Sequence, residues 1–151
     1  MEKVKVLYTT GVKTIEQLDW LPPLLSRLAL GWVFLWAGYG KLGNLEPVIG
    51  FFESLGIPYP GLQAPFIATL ELVGGAALIV GAGTRVFSFL LASTMAVAIM
   101  TAHREDIEAF SDVFKIYEFV YILVFTFLMT RGAGFVSLDS VFKRKITDKE
   151  S

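Results

Sequence analysis

This sequence predicts an all-α integral membrane protein: a four-helix bundle in up-down-up-down order, with both termini cytoplasmic. Three observations predict it. Apolar residues make up 54% of the chain and charged residues only 18%, against about 25% charged in soluble domains. The apolar residues gather in four segments, near 22–42, 64–84, 86–103 and 116–131. These segments are apolar nearly all round, where a soluble helix keeps a polar face. The third, VFSFLLASTMAVAIMTA, has no charge over 86–102, close to the ~20 residues that a bilayer crossing needs. A soluble bundle with one very apolar central helix would explain one such segment but not four.

The elements follow in order. Residues 1–21 form a polar lead-in in which Val12, Ile15, Leu18 and Leu21 recur at helical spacing and Trp20 suits a membrane interface. This start does not read as a secretory signal, because its apolar stretch is short and Lys13, Glu16 and Asp19 follow. The first spanning helix then serves as its own uncleaved insertion signal. Pro22 and Pro23 suit that helix's first turn, and it runs to about Leu42. Loop 43–63 holds a short apolar element, PVIGFFESLG, and the rigid turn IPYPG.

The second segment is interrupted only by Glu71, and Gly83, Thr84 and Arg85 join it to the third. So short a connection predicts an antiparallel hairpin. Loop 103–115 is polar and acidic, and the fourth segment runs from Ile116 to Arg131, where Gly132 closes it. The chain thus divides into the lead-in 1–21, a four-span domain 22–131 and a basic cytoplasmic tail 132–151.

Charge orients the bundle. With both ends on one side, that side holds Lys3, Lys5, Lys13, Arg27, Arg85, Arg131, Lys143, Arg144, Lys145 and Lys149. The other side holds Lys41, Arg104 and Lys115. Ten against three puts both termini in the cytoplasm. The outer side collects Glu46, Glu53, Glu105, Asp106, Glu108 and Asp112 instead.

Polar groups inside the apolar segments mark the candidate site. Glu71 lies seven residues past Ala64, roughly 10 Å deep at ~1.5 Å per residue. A carboxylate at that depth must face the bundle interior and take a partner or a proton. Gly74, Gly75, Leu78 and Ala82 share its face, a stripe that lets a helix or a bound molecule come close. Tyr39 and Lys41 end the first segment, His103 ends the third, and Tyr117, Glu118 and Tyr121 begin the fourth. The expectation is an outer-leaflet cluster of Lys41, Glu71, His103 and Glu118, with Lys41 paired to Glu71. Glu71 and His103 are its proton-exchanging groups. Lys41, Tyr39, Gly74, Gly75, Glu118 and Tyr121 line a bound cofactor.

Each residue has a plainer role beside that one. Glu71 can lock helices together, Lys41 can snorkel to headgroups, His103 can be merely interfacial, and Glu118 can be a first-turn charge favoured by the helix dipole. On the inner side, Arg27 shares a face with Gly31, Phe34, Gly38 and Lys41. Arg85 and Arg131 lie near the same surface, suited to phosphate headgroups. Asp139 pairing with one of these arginines would dock the tail beneath the bundle.

Other chemistry finds no signal. The net charge of −1 and the absence of a basic stripe give no reason to expect nucleic acid. Without cysteine there is no thiol nucleophile, disulfide or iron–sulfur site. A single histidine provides no bis-histidine haem site, and no His–carboxylate cluster has metal spacing. GVKTIEQ and GAGTRV lack the strand and spacing of a nucleotide fingerprint. If the chemistry is redox, the cofactor that fits segment faces rich in Gly and Phe is a lipid-soluble quinone.

RLALGWVFLWAGYGKL (27–42), FFESLGIPYP (51–60), ELVGGAALIVGAGTR (71–85) and GAGFVSLD (132–139), in this order, resemble the DoxX/DoxD-like family of small membrane proteins. The resemblance covers about residues 24–142. It implies a four-helix protein of the cytoplasmic (inner) membrane, in some members a quinone-reducing subunit of a thiosulfate:quinone oxidoreductase. Arg27, Lys41, Glu71, Arg85 and Asp139 fall on family-typical positions. The tail carries no second catalytic domain, so a partner redox subunit, or a homo-oligomer in the bilayer, would complete the activity. Three functions stand: a component of a quinone-linked redox system, a non-catalytic assembly or scaffold protein, and a small-solute or proton transporter.

Overall fold

The computed structural model describes residues 1, 12, 16–104 and 107–150, without the side chains of residues 110 and 146–150. The expectations placed on Lys3, Lys5, Lys13, Ile15, Glu105, Asp106 and the Lys149 side chain lie outside what is described. Among the described residues the chain is all-α: α1 (Leu21–Gly43), α2 (Leu45–Ser54), α3 (Pro60–Val80), α4 (Thr84–Thr101), α5 (Tyr117–Arg131) and α6 (Leu138–Glu150). A 3-10 segment, Phe110–Lys115, leads into α5. Three helices, α1, α3 and α4, are long and apolar enough to cross a membrane, at 23, 21 and 18 residues. The predicted fourth crossing, α5, is shorter at 15 residues.

Local chemistry sets the boundaries. Pro22 and Pro23 occupy the first turn of α1, where a missing N–H costs no helical bond. α3 begins four residues before the predicted Ala64, because Tyr59 turns the chain through a left-handed conformation (φ 51°) into Pro60. Pro65 suggests a later start, but the bond it cannot make is to the carbonyl of exposed Gly61, within the first turns. α3 ends at Val80, not 84. Gly81 adopts a left-handed φ of 71°, its N–H donates to the Leu78 carbonyl (3.2 Å), and the Ala82 N–H donates to that of Ala77 (2.9 Å). That paired closure is a Schellman cap. The hairpin turn is therefore Gly81–Ala82–Gly83, two residues earlier than predicted, and Arg85 lies in the first turn of α4.

Glycines bring α1 and α3 into backbone contact, antiparallel. A Cβ at Gly75 would fall 2.7 Å from the Gly31 carbonyl oxygen, and one at Gly38 2.6 Å from that of Ala68. Gly74, beside it, faces α4, where a Cβ would meet Leu91 at 3.1 Å. The core between the helices is Leu30, Phe34, Leu78, Leu91, Met95, Phe125 and Leu128. The Phe34 ring meets Phe125 edge-on at 5.1 Å and Tyr121 at 5.7 Å, so α1 and α5 close the bundle.

The tail folds into α6, and Asp139 fastens it to the hairpin turn. Its carboxylate accepts the Gly83 N–H (2.7 Å) and the Thr84 N–H (3.0 Å), and its own N–H donates to the Gly81 carbonyl (3.0 Å). Asp139 thus acts as the N-cap of α4, supplied from a distant part of the chain. Its hydrogen bonds go to backbone amides, while the expected arginine partner, Arg27, interacts with it by charge. Arg27, buried on α1, donates to the Val136 carbonyl and fills the space a side chain at Gly81 would need. On the opposite side, Asp112 accepts from Lys115 (2.7 Å) and the Ala109 N–H (2.9 Å), which hold its carboxyl below the usual range.

Two expectations follow. Asp139→Ala should lower stability by about 1 kcal/mol, as loss of an N-cap does, read as a lower melting temperature and faster proteolysis of the tail. Gly75→Val should destabilise by about 2 kcal/mol through overpacking, whereas exposed Gly40→Val, with open space around it, should cost less than half as much.

Candidate functional site

The helix ends remote from the α3–α4 hairpin turn, here termed the outer ends, line a cavity of about 920 Å³. Its floor is Phe34 and Met95, and α2 contributes Val48, Phe51, Phe52 and Leu55 to its wall. Those positions recur at helical spacing, so they present one apolar face of α2 to the cavity. Sequence reading places this element in a loop; the 48-51-52-55 spacing is the signal that identifies it as a helix.

Two polar pairs stand in a mostly apolar wall. Glu71 is 2% exposed on α3, and the Lys41 ammonium reaches both of its oxygens at 2.6 Å. The α1–α3 glycine contacts cause this approach, since they align the outer end of α1 with the middle of α3. Lys41 keeps a third of its side chain exposed, and an ammonium has three N–H donors, so one remains beyond the two bonds to Glu71.

The second pair is His103, just past the end of α4, with Glu118 in the first turn of α5: Nε2 and Oε1 lie 3.2 Å apart. Glu118 is also buried, and its Oε2 has no hydrogen-bond partner among the described residues. The dipole of α5 favours negative charge at this N-terminal position. A row of edge-on rings runs from His103 through Tyr117 and Tyr121 to Phe34, with centroids 6.5, 5.7 and 5.7 Å apart.

Lys41, Glu71, His103, Glu118 and Tyr121 of the predicted site therefore line one cavity. The other three do not. Tyr39 points outward, 64% exposed and edge-on to Trp36. Gly75 is closed by the α1 backbone and Gly74 by Leu91 and Phe87, so both act in helix packing. Among the described residues no group of His, Cys, Asp or Glu is placed to hold a metal ion.

Chemically, the wall offers hydrogen-bond donors and carboxylate acceptors to a mostly apolar guest. Lys41→Met would leave the Glu71 carboxylate buried and unpaired, so it should destabilise the bundle by about 3 kcal/mol. The double replacement Lys41→Met with Glu71→Leu should recover most of that loss. Thermal unfolding of the three variants in one detergent checks both outcomes.

Comparison with known proteins places the chain. The DoxX family profile matches residues 23–104. A Bacillus subtilis (strain 168) protein named Putative oxidoreductase CatD is 35% identical over 125 residues, covering 81% of this chain and 88% of that protein. Inner membrane protein YqjF of Escherichia coli (strain K12) is 24% identical over 131 residues, covering 87% of this chain and 99% of that protein. No solved structure gives a significant match. With its long apolar helices and these relatives, the chain belongs to the DoxX family and is a multi-pass protein of the inner membrane.

Proposed function

We propose that this protein is the membrane component of a quinone-linked redox system, passing electrons from a partner or small reductant to a membrane quinone. In this reading α1, α3, α4 and α5 all cross the bilayer and both termini are cytoplasmic, so the cavity lies in the outer leaflet. One observation carries the proposal: an apolar cavity of about 920 Å³ with a cation–carboxylate pair at 2.6 Å and a histidine–carboxylate pair at 3.2 Å in its wall. Its size is within the range of small-molecule sites. The oxidoreductase name of the Bacillus subtilis relative supports the reaction class.

The residues fit a quinone head. Such a molecule needs donors for two carbonyl oxygens and a source of protons; when bound, it supplies two-electron, two-proton acceptor chemistry soluble in lipid. The remaining N–H of Lys41 is a donor for one carbonyl. Glu71 holds the ammonium in place and, being buried, keeps the charge balanced within the wall. His103 and Glu118, joined through Nε2 and Oε1, form the proton-exchanging pair beside the guest. The buried carboxylate of Glu118, beside the Tyr117 hydroxyl, is an acceptor for a hydroxyl on the guest. α2 covers the cavity and limits water around these groups.

The test is mass spectrometry of small molecules retained by protein purified in mild detergent, wild type beside Glu71→Gln. A quinone should accompany the wild type and fall roughly tenfold in the folded variant, equivalent to about 1.4 kcal/mol of binding. No quinone in either, with a partner protein retained, would move the assignment to an assembly role.

A further inference from the structure

The geometry points to a lateral portal between α3 and α4 through which a chain-bearing amphiphile reaches the cavity from within the lipid. This deepens the quinone reading and rests on it for the identity of the head. The seam is open on one side. Near the hairpin turn the two helices touch, with Gly74 against Phe87 and Leu91. Along the seam, Phe66 on α3 and Leu90, Ser93 and Val97 on α4 are cavity-wall residues that are also exposed. Phe66 is 63% exposed and Val97 49%. α3 and α4 also pack far less closely against each other than α1 packs against α3 or α4 against α5, which leaves this seam loose. Leu90, Ser93 and Val97, at steps of three and four, border one side of the gap over about 10 Å of helix axis.

The position of the breach selects the guest. Both helices are among those apolar enough to cross the membrane, and the portal lies within their length, so it opens onto acyl chains. A tail gains little by leaving lipid for an apolar wall, because the two are about equally apolar. It therefore stays in the gap or in the bilayer, while the polar head passes inward to Lys41–Glu71 and His103–Glu118. The structure assigns the site to a ligand with a hydrogen-bonding head and a long apolar chain, loaded sideways.

Val97→Trp fills the gap, and Val73→Trp, on an exposed face of α3 outside the cavity wall, is the control. Binding to ubiquinone-10 and to the tail-less ubiquinone-0 is measured in nanodiscs. Val97→Trp should weaken ubiquinone-10 by about tenfold and leave ubiquinone-0 within about twofold, with Val73→Trp like wild type for both. Equal binding of ubiquinone-10 by Val97→Trp and wild type overturns the portal, and so does equal loss of both ligands from a folded Val97→Trp. If wild type binds neither quinone, the redox reading fails and a second measurement decides the portal alone. A phospholipid carrying a mid-chain diazirine should label inward-facing Leu70 and Thr94 in wild type and lose that labelling in Val97→Trp. Absence of label at both positions in wild type overturns the portal.

Discussion

The backbone contact between α1 and α3 is the constraint on which the rest of the structure depends. With glycine at 31, 38 and 75, each helix lays its backbone against the other, closer than side chains of ordinary size permit. Within a bilayer the hydrophobic effect gives helices no reason to associate, so such close packing supplies the attraction. It also fixes register. Gly38 sits beside Ala68 and Leu72, so Lys41, three residues on, arrives beside Glu71 with both carboxylate oxygens at 2.6 Å. A charge placed in the membrane interior becomes tolerable because the glycines deliver its partner.

The same constraint explains why a cavity exists. α1 and α3 form one tight pair, and α4 and α5 meet across the second, anchored by the short approach to His103 and Glu118. Between the pairs, aromatic and branched side chains fill the inner half: Phe34, Leu78, Leu91, Phe125 and Leu128. In the outer half the pairs are held apart and α2 covers the gap. The inner end is closed differently. Asp139 caps α4 from the tail, and Arg27 reaches the Val136 carbonyl, so the tail is part of the bundle's floor.

Much of this was legible in the sequence because membrane helices leave few choices. The apolar segments, the inward direction of Glu71 and its pairing with Lys41 follow from the cost of a lone charge in lipid. His103 and Glu118 were legible as groups at equivalent depth. What escaped was set by backbone conformation or by distant contacts. The hairpin turn moved by two residues because Gly81, not Gly83, takes the first left-handed step. α2 read as a loop because its Pro47 and Gly50 interrupt a helix that its apolar face stabilises against the cavity. Asp139 does stand in charge interaction with the Arg27 guanidinium, as expected, but its hydrogen bonds to amides at a helix start were not legible. Gly74 and Gly75 show the ambiguity of a small-residue stripe: the composition fits a guest and a helix equally, and here helices take both sides.

The brevity of α5 bears on where the second polar pair sits. Its 15 residues span about 22 Å, less than the roughly 30 Å of hydrocarbon. At the inner end Gly132 and Ala133 are buried and the backbone turns beneath the bundle, where Arg85 packs over Gly132. At the outer end extended, buried Ile116 and the 3-10 segment bring the connection down toward the helices. Glu118 thereby enters the bundle as a buried residue and not as a surface charge. His103, at the other end of the same connection, comes with it. The short helix thus keeps the second polar pair at the level of the cavity, facing the Lys41–Glu71 pair that the glycines set in place.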